Sequence, residues 1–240
     1  MNKLKPLPEE WSGLLNNEQK EAIENINGPL LIIAGAGSGK TRVLTYRYAH
    51  LIKTYGINFE NVLAITFTNK AANEMKDRIS DLLNLELSPK WISTFHSLCV
   101  KMLRIHGHLI GFNNNFTIYD QSDSTKLVRN CMRDSDIDTK QYSPKRIQAH
   151  ISSLKNQRIL PGEAVEFAQS FFDVKVAEIY SSYQKKLMLA NSMDFDDLLI
   201  KAVELLETSD KSLNYWSSKF QYIMIDEYQD TNMVQYRLVE

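Results

Sequence analysis

The chain has 240 residues, 43% of them hydrophobic and 24% charged, with a formal charge of −1 and two cysteines. That is the composition of an ordinary soluble globular protein with one large domain or two modest ones. No apolar run approaches the roughly 20 residues that span a bilayer, and the start, Met1-Asn2-Lys3-Leu4-Lys5-Pro6, lacks the apolar core of a secretory signal. A cytoplasmic protein with no membrane association is expected, with Cys99 and Cys131, which have no metal-ligand spacing, as reduced thiols.

In chain order, Asn16-x-x-Gln19 reads as a capping box opening a helix whose apolar stripe is Ala22, Ile23 and Ile26, ended by Gly28-Pro29. Residues 30–34 form a short continuous apolar run, which predicts a buried parallel strand. A glycine-rich turn and a helix over 39–53 follow. Residues 62–66 read as a second buried strand, 69–83 as a helix, 91–93 as a third strand and 95–105 as a helix. This alternation predicts an α/β fold with a parallel sheet covered by helices. Between 112 and 191 the rhythm changes. One short strand is expected at 116–119, then helices, one opening at Ser143-Pro144 and a long one over 172–190. The region reads as a mostly helical insertion. The α/β pattern resumes with a helix over 193–207 and a buried strand at 222–225 that runs into Asp226-Glu227. A last helix begins near 232 and stops without a cap, so a fragment of a longer protein is expected, and as such a monomer.

Residues 34–41 read AGAGSGKT: Ala34, Gly35, Ala36, Gly37, Ser38, Gly39, Lys40, Thr41. This is the Walker A pattern with alanine where the strict form has glycine. Small residues let backbone N–H groups wrap the phosphates of ATP, and the helix that follows points its N-terminus at the same charge. Lys40 is expected to reach the β- and γ-phosphates and the Thr41 hydroxyl to bind Mg²⁺. Asp226 ends a strand, at the sheet edge where ligands bind in open α/β sheets. Asp226 is expected to hold Mg²⁺, and Glu227 to orient or deprotonate the attacking water.

Together these segments resemble the UvrD/Rep-like helicases of superfamily 1. Leu15-Asn16-x-x-Gln19 resembles the family's Q motif, which implies that Gln19 reads adenine. AGAGSGKT followed by Arg42 resembles motif I, its leading alanine included, and places Arg42 in the nucleotide-binding set. AITFTNKAANEM at 64–75 resembles motif Ia, Thr94-Phe95-His96 motif Ib, and DEYQDTN at 226–232 motif II. Asp194-Phe195-Asp196-Asp197-Leu198 resembles the segment that returns the chain to the motor domain. The resemblance covers nearly the whole chain. It implies that residues 1–112 and 191–240 form a first RecA-like P-loop motor domain and 113–190 its inserted helical subdomain. It also implies ATP-driven 3′→5′ translocation on single-stranded DNA, unwinding at single-strand/duplex junctions, and accessory repair or replication partners.

The same resemblance lays single-stranded DNA along Thr66, Phe67, Thr68, Asn69, Thr94, Phe95 and His96. The residue types suit that, because an aromatic ring stacks on any base while hydroxyls and amides bind phosphates. Residues 1–162 hold 21 Lys/Arg against 15 Asp/Glu, and 163–240 hold 7 against 14, so a near-neutral total can contain a basic face. Lys140, Lys145, Arg146, Lys155 and Arg158 form an acid-free stretch on more than one face of a helix over 144–157, with two readings open: some of them touch duplex DNA, or they form a solvated helix surface. In the family, arginines of a second motor domain stabilise the transferring phosphate. The 240 residues are therefore expected to bind nucleotide, hydrolyse it slowly and not unwind DNA. Two rival readings are the motor half of a helicase–nuclease subunit and a non-catalytic nucleotide- or DNA-binding module.

Overall fold

The computed structural model describes residues 4–35, 37–84 and 89–240. Packing divides the chain into two compact units, Met1–Phe95 with Tyr215–Asp230, and His96–Asn214 with Thr231–Glu240. No helix among the described residues is long and apolar enough to cross a membrane.

The first unit is built on a parallel sheet of β1 (Val62–Thr66), β2 (Ile92–Thr94) and β5 (Tyr222–Ile225), in the order β2-β1-β5. Every residue of β1 is buried, as a central strand with both faces covered requires. Its helices are α1 (Glu9–Ser12), α2 (Asn17–Glu24), α3 (Lys40–Lys53) and α4 (Asn69–Leu83). The expected capping box opens α2, with Asn16 Oδ1 accepting from the Gln19 N–H and Gln19 Oε1 accepting from the Asn16 N–H. Thr68 caps α4 with a single bond, its Oγ1 accepting from the Ala71 N–H. Ile26, Tyr48, Leu51, Ala64, Met75, Ile79 and Ile92 form the core between sheet and helices.

The strand expected at 30–34 does not form. These residues pair with no strand, and Ile33 is 88% exposed. Only Ile32 packs, against the cluster of Trp11, Val43 and Tyr46. The physical reason is the missing neighbour: a strand is held by its ladder and by cover on both faces, and among the described residues no strand lies beside this run. The last strand falls short of its expected burial too. In β5 only Met224 is buried, and Ile223 is exposed at the sheet's edge.

The second unit holds α5 (Phe95–His106), which begins at the boundary, then α6 (Gln121–Asp134), α7 (Pro144–Asn156), α8 (Phe171–Leu189), α9 (Phe195–Thr208) and α11 (Met233–Val239). The connecting helix α10 spans Asp210–Lys219. Packing thus joins α5 and α9 to the helices of 113–190. The short strand β3 (Thr117–Tyr119) pairs in parallel with β4 (Ser192–Asp194), whose last two residues the sequence pattern had placed in the helix that follows. Val128, Met132, Ile147, Ile151, Val176, Ile179, Tyr183 and Leu187 fill the core between α6, α7 and α8.

Inside this unit Lys155 is 1% exposed and donates to Asp194 Oδ2 and Asp197 Oδ1, each at 2.7 Å. Tyr183 also donates to Asp194 at 2.8 Å, and Gln184 to Asp197 at 3.0 Å. Burial pushes the Asp197 carboxyl up to about 6, with Lys155 pulling the other way. Burial opposes the charge on Asp194 too, but Lys155 holds it below the ordinary carboxylate range. Asp194 is also the N-cap of α9, in a capping box with Asp197. One buried cation therefore ties α7 to the start of α9.

Candidate nucleotide site and nucleic-acid interface

The glycine-rich loop turns at Gly37 (φ +76°) and Gly39 (φ +89°), a left-handed conformation that side chains with a Cβ rarely adopt. Gly39 is the N-cap of α3, and a Cβ there would stand 3.0 Å from Gln19 Nε2. That amide donates to the Ser38 carbonyl at 3.1 Å, so Gln19 links the capping box of α2 to the phosphate loop. Ser38 Oγ donates to the Gly35 carbonyl at 2.7 Å. Lys40 folds onto its own loop, donating to the carbonyls of Ala34 at 3.1 Å and Gly35 at 3.3 Å. Ala36 lies outside the described residues.

The late strand delivers the acidic partner. The register Ile65↔Ile225 and the bond from the Asp226 N–H to the Ile65 carbonyl, 2.9 Å, set Asp226 at the end of β5. Its Oδ2 accepts from the Thr41 hydroxyl at 3.0 Å, although the two residues lie 185 positions apart. Asp226 is buried and its Oδ1 accepts from the Glu227 N–H. Glu227 is exposed and adopts φ +52°, a left-handed conformation uncommon for a side chain of this size. Its carboxylate accepts from Gln229 at 2.6 Å. Backbone strain of this kind clusters at functional sites.

Arg42 is exposed, its guanidinium 5.6 Å from the centre of the Tyr46 ring. Both line an open groove of about 370 Å³ with Thr45, Arg78, Asp81 and Leu82. The sequence reading did not single out Tyr46 or Arg78. The spacing of Arg42 and Tyr46, one helical turn apart, was the available signal.

The strand ends of the first unit carry most of the residues expected to touch DNA. Thr66 and Thr94 lie in register, both buried. The Thr66 hydroxyl is spent on the Thr68 carbonyl at 3.0 Å. Thr68 and Asn69 are exposed and Phe67 is half-buried. Phe95 differs from expectation. It is 1% exposed, and its ring packs edge-on behind Phe67 at 5.8 Å, so it supports that ring and offers no face to a base. His96 is half-buried, and burial lowers its pKa against the opposing pull of Asp196. The exposed ring of Phe195 lies 5.9 Å from the His96 ring. Phe195 stood in a quoted motif without a role, because sequence spacing does not show that it meets His96.

The basic stretch in the second unit comes apart. Lys155 is sealed between two aspartates, Arg158 is bidentate to Glu207 at 3.2 and 2.6 Å, and the Arg146 guanidinium lies 4.5 Å from the Phe172 ring centre. The cations sit on different faces of α7 and past its end, where each finds its own partner. Of the five, only Lys140 and Lys145 remain exposed without such a contact among the described residues, which favours a solvated helix surface over a shared duplex contact.

Comparison with known proteins supplies the family. Residues 15–240 match the family described as the UvrD/REP helicase N-terminal domain. The chain is 46% identical over 226 residues to the "ATP-dependent DNA helicase PcrA" of Staphylococcus aureus strain Mu50, covering 94% of this chain and 31% of that protein. The protein of the same name from Staphylococcus epidermidis strain RP62A matches with the same identity and coverage. The chain thus spans about a third of the length of the curated relatives it matches. The match includes the phosphate loop, the Thr41–Asp226 pair and the strand ends described above, and the chain belongs to the UvrD/REP helicase family, in the part that forms its N-terminal domain.

Proposed function

We propose that this chain is the nucleotide- and DNA-binding front part of an ATP-dependent 3′→5′ DNA helicase, with 1–112 and 191–240 as its first motor domain. The observation that carries the reading is the contact of Thr41 Oγ1 with Asp226 Oδ2 at 3.0 Å. A hydroxyl and a carboxylate offer two hard oxygen donors of the kind Mg²⁺ takes alongside phosphate oxygens and water, so the pair fits the ion. Bound there, Mg²⁺ would neutralise charge on the β- and γ-phosphates.

The chain's own groups divide the remaining work. Lys40 exchanges its loop carbonyls for the terminal phosphates, and the N–H groups at the start of α3 face the same charge. Gln19 and Arg42 meet the base. Glu227, exposed beside the buried Asp226, orients the attacking water. Single-stranded DNA passes over Phe67, Thr68 and Asn69, with Thr66 and Thr94 shaping the strand ends beneath, and His96 is a further DNA contact. Phe95 takes part by backing Phe67. Hydrolysis at full rate and duplex unwinding belong to the longer protein, because an arginine supplied from elsewhere is worth about 10³–10⁵ in rate in related phosphoryl transfers.

ATP binding and turnover by this chain, with and without single-stranded DNA, test the reading beside Lys40→Ala. Wild-type nucleotide binding that the substitution weakens at least about tenfold is expected, with turnover near that of the variant. Binding that ignores Lys40 would reject the site. Fast DNA-stimulated turnover would reject the need for the remainder of the protein. For the DNA path, Phe67→Ala should weaken single-strand affinity by about 1–3 kcal/mol with little dependence on base sequence. An unchanged affinity in fluorescence anisotropy would remove Phe67 from the path.

A further inference from the structure

Glu227 stands in a turn whose backbone is fixed on both sides. Its N–H donates to Asp226 Oδ1 at 3.1 Å, and its carbonyl accepts from the Asp230 N–H at 3.0 Å. These two bonds hold the left-handed φ of +52°, a conformation that persists in such a residue only where its surroundings impose it. The side chain of Glu227 is exposed, and a fixed backbone does not by itself fix its rotations. Its carboxylate has one partner among the described residues, the side chain of Gln229, whose Nε2 donates to Oε2 at 2.6 Å. Among the same residues Oε1 carries no hydrogen bond. Gln229 lies two positions on, in the short helical turn Tyr228–Asp230, and is itself exposed. Its place in DEYQDTN gave it no task in the sequence.

A carboxylate that orients a water must stand within about 2.6–3.2 Å of it, and a displacement of about 1 Å can cost about 100-fold in rate. An exposed glutamate left to itself samples several rotamers, so it needs a holder. A lysine or arginine in that place would hold it by neutralising the charge that attracts a water proton. An amide donates an N–H and brings no charge, so it holds the carboxylate without cancelling it. The amide nitrogen is not basic, so Gln229 takes no proton itself. We propose that Gln229 is a positioning residue for ATP hydrolysis, which grips Glu227 through Oε2 and presents Oε1 to the attacking water. The inference rests on the proposed role of Glu227 as the residue that orients that water.

The test measures kcat and KM for ATP on the longer protein, with single-stranded DNA present. Glu227→Gln should lower kcat at least about 100-fold. Gln229→Ala should lower kcat about tenfold and leave KM within about twofold. Gln229→Glu removes the donor and sets a like charge beside Glu227, so it should lower kcat further. In the Glu227→Gln background, Gln229→Ala should change kcat by less than about twofold, because a residue that acts only through the carboxylate has nothing left to position. A side chain that merely stabilises the turn would lower kcat by the same factor whether position 227 is glutamate or glutamine, and that result overturns the proposal. So does an unchanged kcat in Gln229→Ala, or a loss that falls on KM instead. An unchanged kcat in Glu227→Gln would remove Glu227 from the water first, and the role of Gln229 with it.

Discussion

Two lysines in this molecule do opposite work. Lys40 stands at the start of α3 with its ammonium resting on two carbonyls of its own loop, at 3.1 and 3.3 Å. Lys155 is sealed in the second unit between Asp194 and Asp197. A cation held by neutral carbonyls can leave them for a triphosphate at little cost, whereas one that bridges two buried carboxylates cannot leave without stranding both. The aspartates differ in the same sense. Asp226 meets a neutral threonine hydroxyl and a backbone N–H, while Asp194 is saturated by Lys155, Tyr183 and the backbone of Asp197. A ligand site is built from charged groups with weak internal partners, and a structural lock from groups that satisfy one another.

The largest effect that would break this contrast is expected at Lys155. Lys155→Ala leaves two buried carboxylates unpaired and should destabilise the protein by about 3–5 kcal/mol. A loss below about 1 kcal/mol in chemical denaturation would show that the lock is not structural. An intermediate effect is expected at His50, fully buried with its ring edge-on to Tyr55 at 5.2 Å. Burial lowers its pKa, with Arg47 and Lys5 acting in the same direction and Glu24 and a backbone contact of Lys5 opposing. The unfolded chain therefore takes up a proton near pH 6.5 that the folded chain refuses until lower pH. Stability should be full above that value and fall as the pH drops below it. Comparing unfolding midpoints at about pH 7.5 and 5.5 measures the slope, and His50→Leu should flatten it. An unaltered slope would assign the acid sensitivity to His96 and His106, which burial also lowers. The smallest effect is expected at Lys40, where alanine should change stability by no more than about 0.5 kcal/mol. A larger loss would mean that the contacts of Lys40 with Ala34 and Gly35 hold the loop together, and the contrast between the two lysines would blur.

Much of the candidate site was legible in the sequence because its signals are local. Gly37 and Gly39 meet backbone angles that few other residues tolerate, Asn16 and Gln19 close a capping box within four residues, and Asp226 ends an apolar strand. Such features depend on dihedral preferences and on hydrogen bonds between near neighbours. The order of α/β elements was legible for the same reason, and so was the family, because its motifs are such local sets.

The tertiary structure decided what depends on distant neighbours. Residues 30–34 have a strand's composition but no strand beside them among the described residues, so they pair with nothing and all but Ile32 are exposed. Phe67 and Phe95 are the same residue type in neighbouring motifs, and packing makes one a half-exposed ring and the other its buried support. The basic stretch reads as five cations without acids between them, yet Asp194, Asp197 and Glu207 reach two of them from 39 or more positions away. Composition fixes which groups want burial or a countercharge. Which of them obtain it is settled by contacts made across the fold, and a linear pattern carries no record of those.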